Sequence, residues 1–143
     1  MSEMSSVSPM EVEFGNAGEV NTNGTGWFIG FSEWSKTGTA CLRHMPPDLH
    51  AAGLCVKWFL HNRGDPNGER KPLSEGRTIS ILVGAPGEFK IEFSLSAAFE
   101  PNETVSYVLR KPGDFAAWGK GIYHRAFGVQ QSCILTIRWL PQL

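Results

Sequence analysis

From residue 53 onward the chain breaks into short apolar-rich runs separated by turn residues every eight to twelve positions, and no sustained helical period runs through it. A backbone interrupted so often cannot satisfy its N–H and C=O groups within long helices, so they must pair between segments. The class this predicts is all-β, a sandwich or a closed barrel. The clearest run is 89–95, where Phe89, Ile91, Phe93 and Leu95 alternate with Lys90, Glu92 and Ser94. Successive strand side chains point to opposite faces, so this run reads as half-buried. The run 53–61 places Leu54, Val56, Trp58 and Leu60 on one side and Cys55, Lys57, Phe59 and His61 on the other. Apolar groups on both sides predict that both faces are at least partly covered, by the rest of the chain or by a second subunit. Lys57, inside this run, is expected to snorkel outward. Residues 78–83, 105–109 and 133–139 add further strands, 27–31 and 41–44 add shorter ones, and 47–52 has room for one helical turn. The polar stretch 62–76 is longer than a hairpin connection, a length associated with function or mobility.

At 143 residues the chain is expected to hold one core, with 1–26 as a loosely ordered N-terminal arm, or an edge element that packs on the body, and 27–143 as a single domain. A net charge of −1 supplies no basic face, so nucleic acid is not an expected partner. Cys41, Cys55 and Cys133 are odd in number and lack CxxC spacing, which reads as buried free thiols. Neither a leader-like N-terminus nor an apolar run near the roughly 20 residues of a membrane span is present, so a soluble, cytoplasmic protein is expected. The tryptophans Trp58, Trp118 and Trp139 are read as core or interface residues.

The stretch 111–128, KPGDFAAWGKGIYHRAFG, opens on a Pro-Gly-Asp turn, crosses a short apolar segment, turns again through Gly119-Lys120-Gly121 and delivers His124 onto the next strand. Glycine enters positive φ without steric cost, so the stretch doubles back tightly. A side chain just past such a turn sits well for the mouth of a cavity, which makes His124 the first candidate site residue.

Gly113, Gly119, Gly121, His124 and Gly128 reproduce the spacing of the second motif of the cupins, G(X)5PXG(X)2H(X)3N, with Gly119 in place of Pro and Gly128 in place of Asn. The stretch therefore resembles that family, and the resemblance extends over about 53–139. It implies a cupin-like double-stranded β-helix, a jelly-roll barrel, commonly dimeric, with His124 in the position of a metal-binding histidine. The first motif, G(X)5HXH(X)3,4E(X)6G, is degenerate. One register ends on Gly84 and puts Arg77 where the family has Glu, with Phe59-Leu60-His61 or His61-Asn62-Arg63 as the HXH pair. A second register, His61, Arg63, Glu69 and Gly76, keeps the acid but sets the glycine at the start of a strand.

Two chemistries follow. His61 and His124, with Glu69 or Glu75 from the loop, are candidate ligands for one divalent transition metal, Fe, Mn, Ni or Zn. Alternatively His61, Arg63, Arg77, Tyr123 and His124 make a metal-free ligand-binding or acid–base pocket able to grip a carboxylate or phosphate. The first expectation for function is a small-molecule-binding, cupin-like protein with a degenerate metal site, expected to form a homodimer. The alternative is a metal-dependent cupin enzyme, an oxygenase or isomerase of a small organic acid or sugar derivative.

Overall fold

The alternating residues 88–94 form the middle strand of a three-stranded sheet in the computed structural model. The structure describes residues 10–22, 24–30, 42–43, 50–84 and 86–142. Its strands are β1 (Val12–Asn16), β2 (His50–His61), β3 (Arg77–Gly84), β4 (Glu88–Ser94), β5 (Thr104–Leu109), β6 (Asp114–Trp118), β7 (Tyr123–Gln130) and β8 (Ser132–Gln142), with one turn of 3-10 helix at Pro101–Glu103. They form a five-stranded sheet ordered β1-β6-β3-β8-β2 and a three-stranded sheet ordered β5-β4-β7. All pairings between these strands are antiparallel. Among the described residues neither sheet closes into the expected barrel.

Two apolar layers result from the strand alternation. Between the sheets, Leu82, Phe89, Ile91, Phe93, Leu109, Ala116, Trp118, Ile122, Ala126 and Ile134 form one buried cluster. The other face of the large sheet supplies Ile79, Ile81, Phe115, Ala117 and Trp139 to a second cluster, covered by Leu42 and by Ala17, Val20, Phe28 and Ile29 from the N-terminal part of the chain. Residues 12–16 thus pair with β6 as an edge strand. Arg43, only 3% exposed, fastens this layer: its Nε donates to both carboxylate oxygens of Glu13 at 3.0 Å, its Nη1 donates to the Phe28 carbonyl at 2.9 Å, and its guanidinium lies over the Phe115 ring. A buried guanidinium is tolerable only when paired and hydrogen-bonded in this way.

Several sequence expectations shift. Residues 27–30 carry only a bridge at Gly30, whose N–H donates to the Arg43 carbonyl at 3.1 Å, and the remainder of the expected strands at 27–31 and 41–44, apart from Leu42 and Arg43 in a turn, lies outside the described residues. The helical turn expected over 47–52 is replaced at 50–52 by the start of β2, which is held by β8; 47–49 lie outside the described residues. The outer face of β2 is uncovered: Leu54, Val56, Trp58 and Leu60 are each exposed by half or more, with Trp58 at 67%. β2 also ends the sheet order, with β8 its one strand partner among the described residues. Cys133 on β8 is buried as expected, but Cys55 on β2 is exposed, and Cys41 lies outside the described residues.

The stretch 62–76 is neither a free loop nor a full strand. It runs antiparallel to β7 and the turn before it, exchanging hydrogen bonds at intervals: Gly68 N–H to Ala126 C=O at 2.8 Å, Lys71 N–H to His124 C=O at 2.9 Å, Ser74 N–H to Ile122 C=O at 3.0 Å, and Gly128 N–H to Pro66 C=O at 2.9 Å. Close approach explains Gly128. A Cβ there would lie 2.6 Å from the Asp65 carbonyl oxygen and 2.9 Å from that of Asn62, both backbone atoms with little freedom to move. Gly128→Ala is expected to push this stretch off β7 and cost about 1–3 kcal/mol, read as a lowered urea midpoint with an unchanged m-value. A midpoint equal to that of the parent protein would show that the approach is not tight.

The two turns of 111–128 are built by side chains. Asp114 Oδ2 accepts the N–H groups of Arg110 and Lys111 at 2.9 Å, and Oδ1 accepts from Asn16 Nδ2 at 2.9 Å. Burial opposes the charge on Asp114, but these donors outweigh it and hold the carboxyl below its usual range. Ser74 clamps the second turn, donating to the Gly119 carbonyl at 2.7 Å and accepting from the Ile122 N–H at 2.9 Å. His124 emerges two residues later, fixed from both sides.

Candidate functional site

A cavity of about 290 Å³ lies between the sheets, at the lower end of the usual size for small-molecule sites. Strand register explains its lining. On the inner face of the large sheet, Arg138 pairs with Thr78, and Thr78 with Trp118. The next rung is Lys57, Thr136 and Ser80, followed by Phe59, Ile134 and Leu82, and then by His61 and Ser132. The small sheet contributes Phe89, Ile91, His124 and Ala126, and the stretch along β7 contributes Asp65, Pro66, Glu69 and Lys71. A second depression of about 440 Å³ adjoins it, sharing Lys57, Lys71, Thr78, His124 and Arg138.

The residues expected to form a site divide. His61, His124 and Glu69 all line the cavity. Arg63, Arg77 and Tyr123 are not among its lining residues. Arg63 is exposed in the turn after β2, and Arg77 shares its strand face with Ile79 and Ile81 rather than with Thr78. Tyr123 points away from His124, with the Arg70 guanidinium 5.4 Å from its ring centre. Lys57 stands beside Thr136 on the face that lines the cavity and remains exposed, so its stem borders the cavity while its side chain reaches solvent. Arg138, Lys71, Thr78, Ser80 and Thr136 had no signal as site residues in the sequence. The one hint was that 134, 136 and 138 form the more polar side of the last strand.

His124 is held mostly buried against Trp118, ring centres 4.9 Å apart, and its Nδ1 has no hydrogen-bond partner among the described residues. Its pKa is lowered to about 4, first by burial and then by the charges of Arg138, Lys71 and Lys57, so the ring is neutral at pH 7. Trp118, 2% exposed, has an indole N–H that is likewise buried without a described partner. His61 sits between the Phe59 and Phe89 rings, at 4.5 and 4.9 Å. Burial lowers its pKa too, with Lys57 and Lys71 adding to the effect and Asp65 opposing it. Glu69 is exposed, and its Oε1 accepts the Asn67 N–H at 3.1 Å, which holds its carboxyl below the usual range.

This donor set does not fit a metal ion. Among the described residues no three His, Cys, Asp or Glu side chains are grouped to share one. The groups flanking His124 are cations, which act against a second cation and favour an anion. Polar contacts in the cavity are few: Arg138 Nε donates to Thr78 Oγ1 at 3.2 Å, and the Ser80 and Thr136 hydroxyls share a hydrogen bond at 2.9 Å. None of Lys57, Lys71 and Arg138 makes an ion pair with a described residue.

Fold and site together define an all-antiparallel, two-sheet protein with a small cavity between the sheets. No family model matches the chain, and no curated protein matches it. Among solved structures it is similar to a hydroxypropylphosphonic acid epoxidase from S. wedmorenis, at 8% identity over 66% of this chain and 56% of that one, with a TM-score of 0.48. It is also similar to QdtA, a sugar 3,4-ketoisomerase from Thermoanaerobacterium thermosaccharolyticum, at 16% identity over 59% and 57% of the two chains and a TM-score of 0.45. A third is CENP-C of Drosophila melanogaster bound to CAL1, at 19% identity over 58% and 63%, with a TM-score of 0.47. The chain spans less than two thirds of the length of each. Among the described residues no helix is long and apolar enough to cross a membrane.

Proposed function

We propose that this chain binds a small molecule in the cavity between its sheets, through its side chains rather than through a bound metal. The observation that carries this reading is the pair of buried, unpartnered nitrogens, His124 Nδ1 and Trp118 Nε1, on residues that line one cavity. Buried polar groups are ordinarily satisfied, and a ligand entering the cavity would supply what the protein does not. NMR titration of the isotope-labelled protein with benzyl alcohol and with benzoate tests it. Saturable shifts confined to the amides of Thr78, His124, Ala126, Ile134 and Thr136 are expected for at least one of them. No saturable shift with either would refute the reading.

The chain is further proposed to pair with a second copy through β2. This strand bonds to β8 on one side only among the described residues, and its outer face presents Leu54, Val56, Trp58 and Leu60 to water. A long apolar edge strand of this kind is normally covered, and antiparallel pairing with its own twin would satisfy the open edge and set the two apolar faces side by side. Light scattering is expected to give twice the chain mass for the parent protein and the single mass for a Val56→Lys, Trp58→Glu variant. A parent protein that is monomeric at tens of micromolar would count against this interface.

A further inference from the structure

We infer that the ligand of this cavity is an amphiphilic organic anion, its acidic group held by Lys57, Lys71 and Arg138 and its apolar body lying along Phe59, Phe89 and Ile134. This rests on the reading of the cavity as a binding site and adds to it the chemical class of the occupant.

The polarity of the cavity is sorted along its length. Moving down the inner face of the large sheet, the first two rungs carry Arg138 with Thr78 and Lys57 with Thr136 and Ser80, and the next carries Phe59 with Ile134. From residue 138 to residue 134 a strand advances about 13 Å, so the change from charged to apolar falls within the length of one small ring compound and its head group. The opposite wall agrees. His124, beside the charged rungs, gives way along β7 to Ala126, with Phe89 and Ile91 of β4 alongside.

Charge favours an anion at the upper end. Lys57, Lys71 and Arg138 line the cavity together with His124, and the same four residues recur in the depression that adjoins it, so three positive groups share one end of the site. The lining carboxylates are Asp65 and Glu69, and neither makes an ion pair with these cations. Glu69 is exposed and already bonded to the backbone N–H of Asn67. Lys71 is the informative member. Its backbone N–H donates to the His124 carbonyl, so the stretch along β7 brings a second element's cation to the site that β2 and β8 begin. Bound acid would relieve the repulsion among the three and offer acceptors to the buried Trp118 N–H and to the Thr78, Ser80 and Thr136 hydroxyls. Lys57, Lys71 and Arg138 are exposed at the mouth and hydrated when the site is empty, so an anion gains attraction there that a neutral ligand does not, and an inorganic anion would leave the Phe59 and Phe89 end without apolar contact.

Calorimetric titration at fixed ionic strength tests the inference with benzoate, phenyl phosphate and the neutral benzyl alcohol. The parent protein and the Arg138→Gln, Lys71→Gln and Lys57→Gln variants are compared, with Lys111→Gln as a control for a lysine outside the cavity. At least one anion is expected to bind tenfold or more tightly than benzyl alcohol, and to lose about tenfold in affinity in each cavity variant but not in the control. Preference for benzoate would mark a carboxylic acid ligand and preference for phenyl phosphate a phosphate ester; both agree with the inference. Equal binding of benzyl alcohol and the anions, or anion affinity unchanged in all three cavity variants, would overturn it while leaving the cavity a small-molecule site. If neither the anions nor benzyl alcohol binds, this inference and the proposed function fall together.

Discussion

Trp118→Ala is expected to lower the unfolding free energy by about 3–5 kcal/mol, the usual cost of removing a fully buried indole. Trp118 is 2% exposed and lies in the cluster that joins the sheets, its ring 4.9 Å from those of both Phe93 and His124. Partial collapse of the space it leaves cannot restore these contacts, because Phe93 is fixed by β5 and β7 on either side of β4. Urea denaturation followed by far-ultraviolet circular dichroism gives the number. Trp118→Phe, which keeps most of the volume but loses the indole N–H, separates packing from polarity. Its loss of stability should be much smaller, while its ligand affinity should fall with the missing donor. A loss below about 1 kcal/mol in Trp118→Ala would mean that this residue does not anchor the two sheets.

Acidification gives the second large effect. His124 titrates near 4 in the folded protein and near its ordinary 6.5 once unfolded. Between those values the unfolded chain binds a proton that the folded chain does not, so stability falls as the pH drops from about 6.5 to about 4. One pKa unit is about 1.4 kcal/mol, which makes the contribution of this residue about 3 kcal/mol when fully expressed below pH 4. His61 shifts in the same direction, so the comparison that isolates His124 is between the parent protein and His124→Gln. Denaturation curves at pH 7, 6, 5 and 4 are expected to show a flatter pH dependence in the variant, whatever its absolute stability. Parallel curves would place the His124 ring in a wetter, less cationic setting than the structure describes. Ligand binding is linked to the same proton: an anion beside Lys57, Lys71 and Arg138 offsets their effect and raises the pKa of His124, so binding takes up protons in this range.

How much of this could be read beforehand varies by residue. The alternation of 89–95 is local, and 89–94 lie in β4 with Phe89, Ile91 and Phe93 buried, while Leu95 falls just past the strand and is exposed. The turns of 111–128 were readable for the same reason, since Gly113 and Gly121 adopt positive φ and Asp114 caps its own turn through neighbours a few residues away. His124 was found because a turn and a spacing pointed to it. Arg138 and Lys57 could not be found in this way. Each sits on a strand with a clear period, but which side of that strand meets the cavity depends on its pairing with strands far away in sequence. Arg77 shows the same limit, since it differs from Thr78 by one position and therefore by one face.

The stretch 62–76 had no strand period at all. Its order comes from hydrogen bonds donated to carbonyls of β7 and the turn before it, about 50 residues away, and from a glycine at 128 that lets it approach. By itself the sequence determined the all-β class, most strand positions and the turn that presents His124, because these depend on φ, ψ and side-chain alternation within a few residues. Only the tertiary structure decided that Lys57, Lys71 and Arg138 line one cavity with that histidine, because strand register and the path of one aperiodic segment bring together residues between which the sequence carries no local signal.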